Sequence, residues 1–377
     1  MKGTSILIKP VSSTCNMACH YCFYRDEAEK RQQECYGLMS SRTLKNVIRK
    51  TLPRARGAIS YAYQGGEPTL RGLDFFEEAV AWQKQYNKNG IMVTNALQTN
   101  GCLIDESWCR FLKKNNFLVG LSIDGIRENH DAFRRDRLGE GTYEKAKHAA
   151  GLMDVYGVDY NIVTVVTPMA VDSIGKIYED YRSRGWKYQQ YIACLDPLGE
   201  AHGKGEYALT PEAYGEFLIR LFQLWYEDVK KRKQPFIRQF ENYIALAMGY
   251  RAEACSQRGN CGLQNVVEAD GSVFPCDFYA LDQYRLGNLN EDRMETIEER
   301  YRESGFEERS YKVAEECGNC AYYRLCRGDC HRYRDYDPVS GTYKSYFCKS
   351  YQMFFDACYE KIVEIGKEAG RWQRVRK

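Results

Sequence analysis

Cys15-Asn16-Met17-Ala18-Cys19-His20-Tyr21-Cys22 decides how this chain is read. Three cysteines stand at C-x3-C-x2-C spacing, directly after a short apolar run, Ile6-Leu7-Ile8. A cubane iron–sulfur cluster takes four thiolates. This stretch supplies three, so one iron keeps an open coordination position where a small molecule can bind. That open position is the expected active site, with most of the chain arranged to serve it.

Outward from this stretch, composition narrows the field. The chain has 377 residues, 44% of them hydrophobic, enough for a large core and more than one domain. Charge is nearly balanced, 54 Lys+Arg against 51 Asp+Glu, so nothing points to nucleic acid. The basic end, Arg371 to Lys377, reads as a frayed, solvated terminus. Lys2 is followed by too few apolar residues before Lys9 and Pro10 for a secretory signal, and no apolar run approaches membrane-spanning length. The expectation is a cytoplasmic protein with no membrane partner. Sixteen cysteines in a chain of this length do not fit a small secreted disulfide scaffold. In a reducing compartment, clustered cysteines read as metal ligands. Most of the 30 tyrosines are expected in packing, with some lining a groove for an extended ligand.

Strands are predicted at Ser5–Lys9, Ala58–Gln64, Met92–Gln98, Leu118–Ile123, Tyr160–Val166 and Tyr188–Ile192. Helices are predicted between them at Thr43–Thr51, Leu73–Tyr86, from an Asp105 N-cap to about Asn115, at Thr142–Tyr156 and at Val171–Arg184. Six strands alternating with helices indicate a parallel sheet. Polar or glycine-rich chemistry follows the strand ends: Gly65-Gly66-Glu67-Pro68, Thr99-Asn100-Gly101 and Ser122-Ile123-Asp124-Gly125. Parallel barrels place their sites there; an open doubly wound sheet gives the same alternation. Helices without intervening strands follow at Pro211–Lys231 and Pro235–Gly249. A hairpin is predicted at Gln264–Glu268 and Val273–Phe274, turning on Asp270-Gly271, and a last helix from Tyr346 to about Lys367.

A second cysteine set comprises Cys255, Cys261, Cys276, Cys317, Cys320, Cys326, Cys330 and Cys348. Eight make two complete sets of four. Structural zinc is the plain alternative for C-x2-C pairs, but the three-cysteine motif tips the reading to iron–sulfur clusters. Cys35, Cys102, Cys109, Cys194 and Cys358 stand alone and are expected to be buried structural thiols. With sulfur at every cluster position, His20 and the other four histidines are not needed as ligands.

Cys15-x3-Cys19-x2-Cys22, with an aromatic residue before the last cysteine, resembles the radical S-adenosylmethionine (SAM) superfamily. Gly65-Gly66-Glu67-Pro68 is similar to that superfamily's SAM-binding strand end. The eight later cysteines, with Gly271-x4-Cys276, resemble its SPASM extension. More narrowly, Cys22-Phe23-Tyr24, Gln64 to Leu70, Leu97 to Gly101, Asp196-Pro197-Leu198 and Pro275 to Tyr279 resemble the anaerobic sulfatase-maturating enzymes. The resemblance implies an α/β fold: a partial (β/α)6 radical SAM barrel with a connecting helix over 1–235, then a cysteine-rich SPASM domain and C-terminal helix over 236–377. It implies three [4Fe–4S] clusters: one on Cys15, Cys19 and Cys22 that binds SAM, and two auxiliary ones. Those two are held by Cys255, Cys261, Cys276 and Cys330, and by Cys317, Cys320, Cys326 and Cys348. It implies cleavage of SAM to a 5′-deoxyadenosyl radical, which takes hydrogen from Cβ of a Cys or Ser in a sulfatase polypeptide and leaves formylglycine. It implies Asp277 as catalytic base, SAM contacts at Tyr21, Gly65, Gly66, Glu67, Ser122, Arg134 and Leu195, and an electron donor such as flavodoxin or ferredoxin. Tyr24, Gln64 and Gln98, at strand ends or beside the cluster, are candidate substrate contacts.

The rival within enzymes is a SPASM maturase that builds a thioether or carbon–carbon crosslink into a ribosomally made peptide. Many of those carry a leader-binding domain ahead of the first motif. With that motif starting at Cys15, none is expected here. A non-enzymatic electron carrier or zinc module is the rival from another class, and it predicts no SAM cleavage.

Overall fold

The computed structural model describes residues 4–375, and the side chains of 4–369. The basic stretch 371–377 and Lys2 lie outside the described side chains. Strands in chain order are β1 (Thr4–Ile8), β2 (Ala58–Tyr63), β3 (Met92–Thr99), β4 (Phe117–Ser122), β5 (Tyr160–Val166), β6 (Tyr188–Ala193), β7 (Phe236–Ile237), β8 (Val266–Val267), β9 (Ser272–Phe274), β10 (Gly287–Asn288), β11 (Arg334–Asp337) and β12 (Thr342–Ser345). The chain forms two compact units. One comprises Met1–Ile123, His130–Ile162 and Leu263–Gly305; the other comprises Asp124–Asn129, Val163–Gly262 and Phe306–Lys377.

In the first unit the strand order is β10-β9-β8-β1-β2-β3-β4. Strands β1 to β4 pair in parallel, as alternation with helices requires. The predicted helices form with their caps: Ser40 Oγ accepts from Thr43 N at 3.1 Å ahead of helix Ser41–Thr51, and Asp105 accepts from Trp108 N ahead of helix Glu106–Lys114. Helix Leu73–Tyr86 lays Phe76 edge-on to Tyr63 and to Trp108, at 5.0 and 5.1 Å, so aromatic rings weld helix to sheet.

The expected Gln264–Phe274 hairpin is present and does more than turn. β8 adds to the outer edge of β1 in parallel, Leu7 opposite Val266, while β9 and β10 continue the sheet antiparallel. Residues 263–305 therefore belong to the same unit as the first strand, whereas the sequence reading divides the chain at 235.

In the second unit β7 pairs in parallel with β6, Tyr188 opposite Phe236. That pairing shortens the predicted helix Pro235–Gly249, which begins at Arg238. Helices Pro211–Lys230, Arg238–Ala247 and Cys348–Val375 share an aromatic core. Phe222 lies 5.1 Å from Phe240 and 5.7 Å from Phe354, and Tyr243 lies 5.1 Å from Phe355. Packing thus accounts for much of the aromatic content. Among the lone cysteines, Cys109, Cys194 and Cys358 are buried as expected. Cys35 is exposed and Cys102 half-buried, which corrects the expectation. Cys35 stands in the loop after Arg31, where its Sγ meets Thr14 Oγ1 and Gly37 N.

Candidate active site

The parallel strands of the first unit deliver the site. Lys9 follows β1, Gln64 follows β2, Ser122 ends β4 and Glu268 follows β8, all at C-terminal ends. Asp277 follows β9 by three residues, and the cysteine loop runs from β1 into a short helix, Phe23–Glu29, that the sequence reading leaves out.

The three thiols of this loop are neighbours. Burial pushes the Cys15 thiol up to about 12, and Glu67, Cys19 and Cys22 add to the rise. A thiol held that high gives up its proton only to a strong Lewis acid, as iron is. Met17 N donates to Cys15 Sγ at 3.4 Å, and Asn100 Nδ2 at 3.9 Å. Among the described residues no three His, Cys, Asp or Glu converge on a point that would hold a single metal ion. A cubane asks for less convergence, because each thiolate goes to a different iron. The donor set fits a cubane.

Asp277 is buried, 6% exposed. Tyr24 O–H donates to its Oδ2 at 2.5 Å and Gln64 Nε2 to the same oxygen at 3.0 Å; Gln64 also donates to Tyr24 at 2.5 Å. Lys9 Nζ lies 3.5 Å from Oδ1. Burial raises the Asp277 pKa, and Lys9 and Tyr24 offset only part of the rise. The result is a more basic carboxylate than an exposed one. The structure thus joins the expected base to two of the three expected substrate contacts. The third, Gln98, goes elsewhere: its Nε2 donates to Ser122 Oγ at 3.0 Å, across the bare Cα of Gly120.

Of the expected SAM contacts, Tyr21 and Arg134 come together, the guanidinium 5.6 Å from the ring centroid. Both are buried at 8% exposure. Gly65 and Gly66 have φ of +102° and +56°. A Cβ on Gly66 would lie 2.2 Å from Thr14 O, and one on Gly65 would lie 2.8 Å from Lys9 Cγ. The two glycines therefore admit the cysteine loop and the Lys9 stem.

The side chain of Glu67, expected to line the strand end beside SAM, turns into the protein. It is 1% exposed and saturated from within. Oε1 accepts from Thr69 N, Thr69 Oγ1 and Thr99 Oγ1, and Oε2 from Asn100 N at 2.8 Å. Its carboxylate ties the β2 end to the β3 end. Leu195 follows β6 and is buried in the second unit.

Also in the second unit, burial raises the thiols of Cys261 and Cys330, and neighbouring thiols contribute: Cys255 acts on Cys261, and both act on Cys330. Likewise Cys320 acts on Cys317, Cys317 and Cys320 on Cys348, and Cys348 and Cys317 on Cys326. The thiols thus fall into two neighbourhoods, Cys255/Cys261/Cys330 and Cys317/Cys320/Cys326/Cys348. Cys276 lies in the first unit, beside Asp277.

Sequence reasoning missed Lys9, Glu27, Arg31 and Glu268. Lys9 is 2% exposed, with Glu268 at 3.8 Å and Glu27 at 4.0 Å, and Arg31 binds Glu268 at 2.6 Å. The available signal was position: Lys9 and Glu268 close apolar strand runs where a parallel sheet puts its chemistry.

Residues 10–181 match the Radical SAM superfamily, and residues 255–321 match an iron–sulfur cluster-binding domain, SPASM. The chain is 42% identical to the cysteine-type anaerobic sulfatase-maturating enzyme of Clostridium perfringens, over 97% of this chain and 99% of that one. It is 29% identical to the serine-type enzyme of Bacteroides thetaiotaomicron, over 94% and 89%. The solved structure of native anSMEcpe with bound AdoMet and Kp18Cys peptide superposes with a TM-score of 0.92 at 41% identity, covering 97% of this chain and 99% of that one.

Proposed function

The chain belongs to the anaerobic sulfatase-maturating enzymes, radical SAM oxidoreductases with an α/β fold and a SPASM domain, and from that premise we propose that it oxidises a cysteine, rather than a serine, of a sulfatase polypeptide to formylglycine. The higher identity to the cysteine-type relative supports that choice. The observation that carries the mechanism is the buried Asp277 carboxylate, hydrogen-bonded by Tyr24 and Gln64 in the same unit as the three-cysteine loop.

Cys15, Cys19 and Cys22 hold the SAM-binding cluster, and Tyr21, Gly66, Ser122 and Arg134 are the proposed SAM contacts within their unit. When bound, cluster and SAM supply the 5′-deoxyadenosyl radical that removes hydrogen from the substrate Cβ. Asp277 takes the thiol proton, which its raised basicity favours. Loss of the Cβ hydrogen, that proton and one further electron leaves a thioaldehyde, which water hydrolyses afterwards to the aldehyde with release of hydrogen sulfide. Tyr24 and Gln64 orient that carboxylate, and burial keeps water from competing. The two thiol neighbourhoods of the second unit would hold two auxiliary clusters, three [4Fe–4S] clusters in all, and these would supply an acceptor for the electron the substrate loses. Flavodoxin or ferredoxin in the cytoplasm is the proposed reductant.

The test is anaerobic reconstitution with iron and sulfide, then dithionite, SAM and a peptide carrying Cys-x-Pro-x-Arg. The expected product by mass is the aldehyde, with less from the serine peptide. 5′-Deoxyadenosine without any aldehyde would overturn the sulfatase reading and favour a peptide crosslinker. No 5′-deoxyadenosine above a Cys15→Ala variant would overturn the radical reading.

A further inference from the structure

We propose that Lys9 is a positioning residue for this oxidation: it anchors one oxygen of Asp277 so that the carboxylate faces the substrate thiol in a single pose. The inference rests on the cysteine oxidation proposed above. Lys9 N donates to Val267 O at 2.8 Å, which pins the residue between β1 and β8. The stem then runs along the bare Cα of Gly65, where a Cβ would lie 2.8 Å from Cγ and 3.0 Å from Cδ. Its course into the interior is therefore fixed by two elements.

The ammonium group ends among three carboxylates, Asp277 at 3.5 Å, Glu268 at 3.8 Å and Glu27 at 4.0 Å, and lies 4.7 Å from the centre of the Tyr24 ring. A buried ammonium needs a partner to offset its desolvation, and one well-placed carboxylate serves. Asp277 is the nearest of the three, Glu27 is the farthest, and Glu268 is shared with Arg31 at 2.6 Å. Lys9 and Asp277 are thus paired as charges, and the position of one sets that of the other.

Its geometry is specific. Lys9 faces Oδ1, while Tyr24 and Gln64 both donate to Oδ2. A carboxylate turns easily about its terminal bond. Two hydrogen bonds on Oδ2 and the Lys9 charge 3.5 Å from Oδ1, which accepts no hydrogen bond, restrict its plane, and a restricted plane is what alignment with an incoming S–H bond requires. In the step itself the substrate S–H bond breaks and an O–H bond forms on Asp277; Lys9 touches neither reacting atom.

The experiment compares the full-length, reconstituted parent with Lys9→Met and with Lys9→Met/Glu27→Gln. The double variant removes one cation and one carboxylate together, so the buried charge balance is kept and the Arg31–Glu268 pair is left alone. 5′-Deoxyadenosine and aldehyde are measured in the same reaction, alongside iron content. Expected is 5′-deoxyadenosine within about twofold of the parent and aldehyde lower by about tenfold or more, since a small misplacement of a reacting group carries a loss of that order. That split is one a merely structural role would not produce. Aldehyde that falls in step with 5′-deoxyadenosine, or that stays at the parent level, overturns the proposal. So does failure of both variants to load iron, which would make Lys9 a folding residue. A parent that cleaves SAM without forming aldehyde strikes down the oxidation reading instead.

Discussion

Asp277 stands under two opposing pulls. Burial favours its neutral form, and Lys9 with the Tyr24 hydroxyl favours the charged form; burial prevails. Asp277→Asn keeps the shape and removes the proposed base. The variant is expected to go on forming 5′-deoxyadenosine while aldehyde production falls by about 10²–10⁴-fold, the usual contribution of a general base. Product ratios in one quenched reaction check this, and equal loss of both would make Asp277 structural. Glu67 is the contrasting carboxylate, wholly engaged by protein donors. In Glu67→Gln one oxygen becomes an amide that faces another donor. The expected loss is about 1–3 kcal/mol, read as a melting temperature lower by about 2–4 °C per kcal/mol. Spacing exposed the cysteines, and family likeness exposed Asp277. Neither showed how the Glu67 side chain is engaged, because that depends on Thr99 and Asn100 from a different strand end. Lys9 and Glu268 offered position alone as a signal, and position does not tell burial: a charged residue after a strand is normally solvated, and only tertiary packing buries it.

At the scale of elements, the strand ends and the cysteine loop form one interlocked layer. Gly66 is the clearest joint. A methyl group there would press into Thr14 O at 2.2 Å and Ser12 O at 2.9 Å, at a φ of +56°, with no flexible side chain to give way. Gly66→Ala is therefore expected to displace the loop carrying Cys15. Iron per chain after reconstitution should fall by roughly a third, the share of one of the three proposed [4Fe–4S] clusters, with the second unit still loaded. Iron and sulfide assays check this; full loading would show that the loop can move aside. The four parallel strands of the first unit were legible because each is a β-rich run closed by polar or glycine residues. β8 was legible as one arm of the predicted hairpin, but its pairing with β1, some 260 residues away, was not. β7 and β10 were not legible: each has two residues, too short for any periodicity.

For the whole molecule, metal and folding are coupled. Burial holds the thiols of Cys15, Cys326 and Cys330 high, so metal must displace their protons to bind. Iron that binds only the folded chain stabilises it by mass action, roughly 4 kcal/mol when free ligand exceeds its dissociation constant a thousandfold. Chelator-stripped protein is expected to melt at a lower temperature than reconstituted protein, and anaerobic calorimetry of the two forms checks it. The seating of β8 against β1 has a consequence during synthesis. Ser5 O accepts from Asn265 Nδ2, a partner 260 residues downstream. At about 5–20 residues per second that partner leaves the ribosome on the order of tens of seconds after the first strand. Through that interval β1 presents an open hydrogen-bonding edge, a template for wrong pairing until its late neighbour arrives. The nascent chain is most in need of a chaperone while the cysteine loop is already made and Asp277 is not.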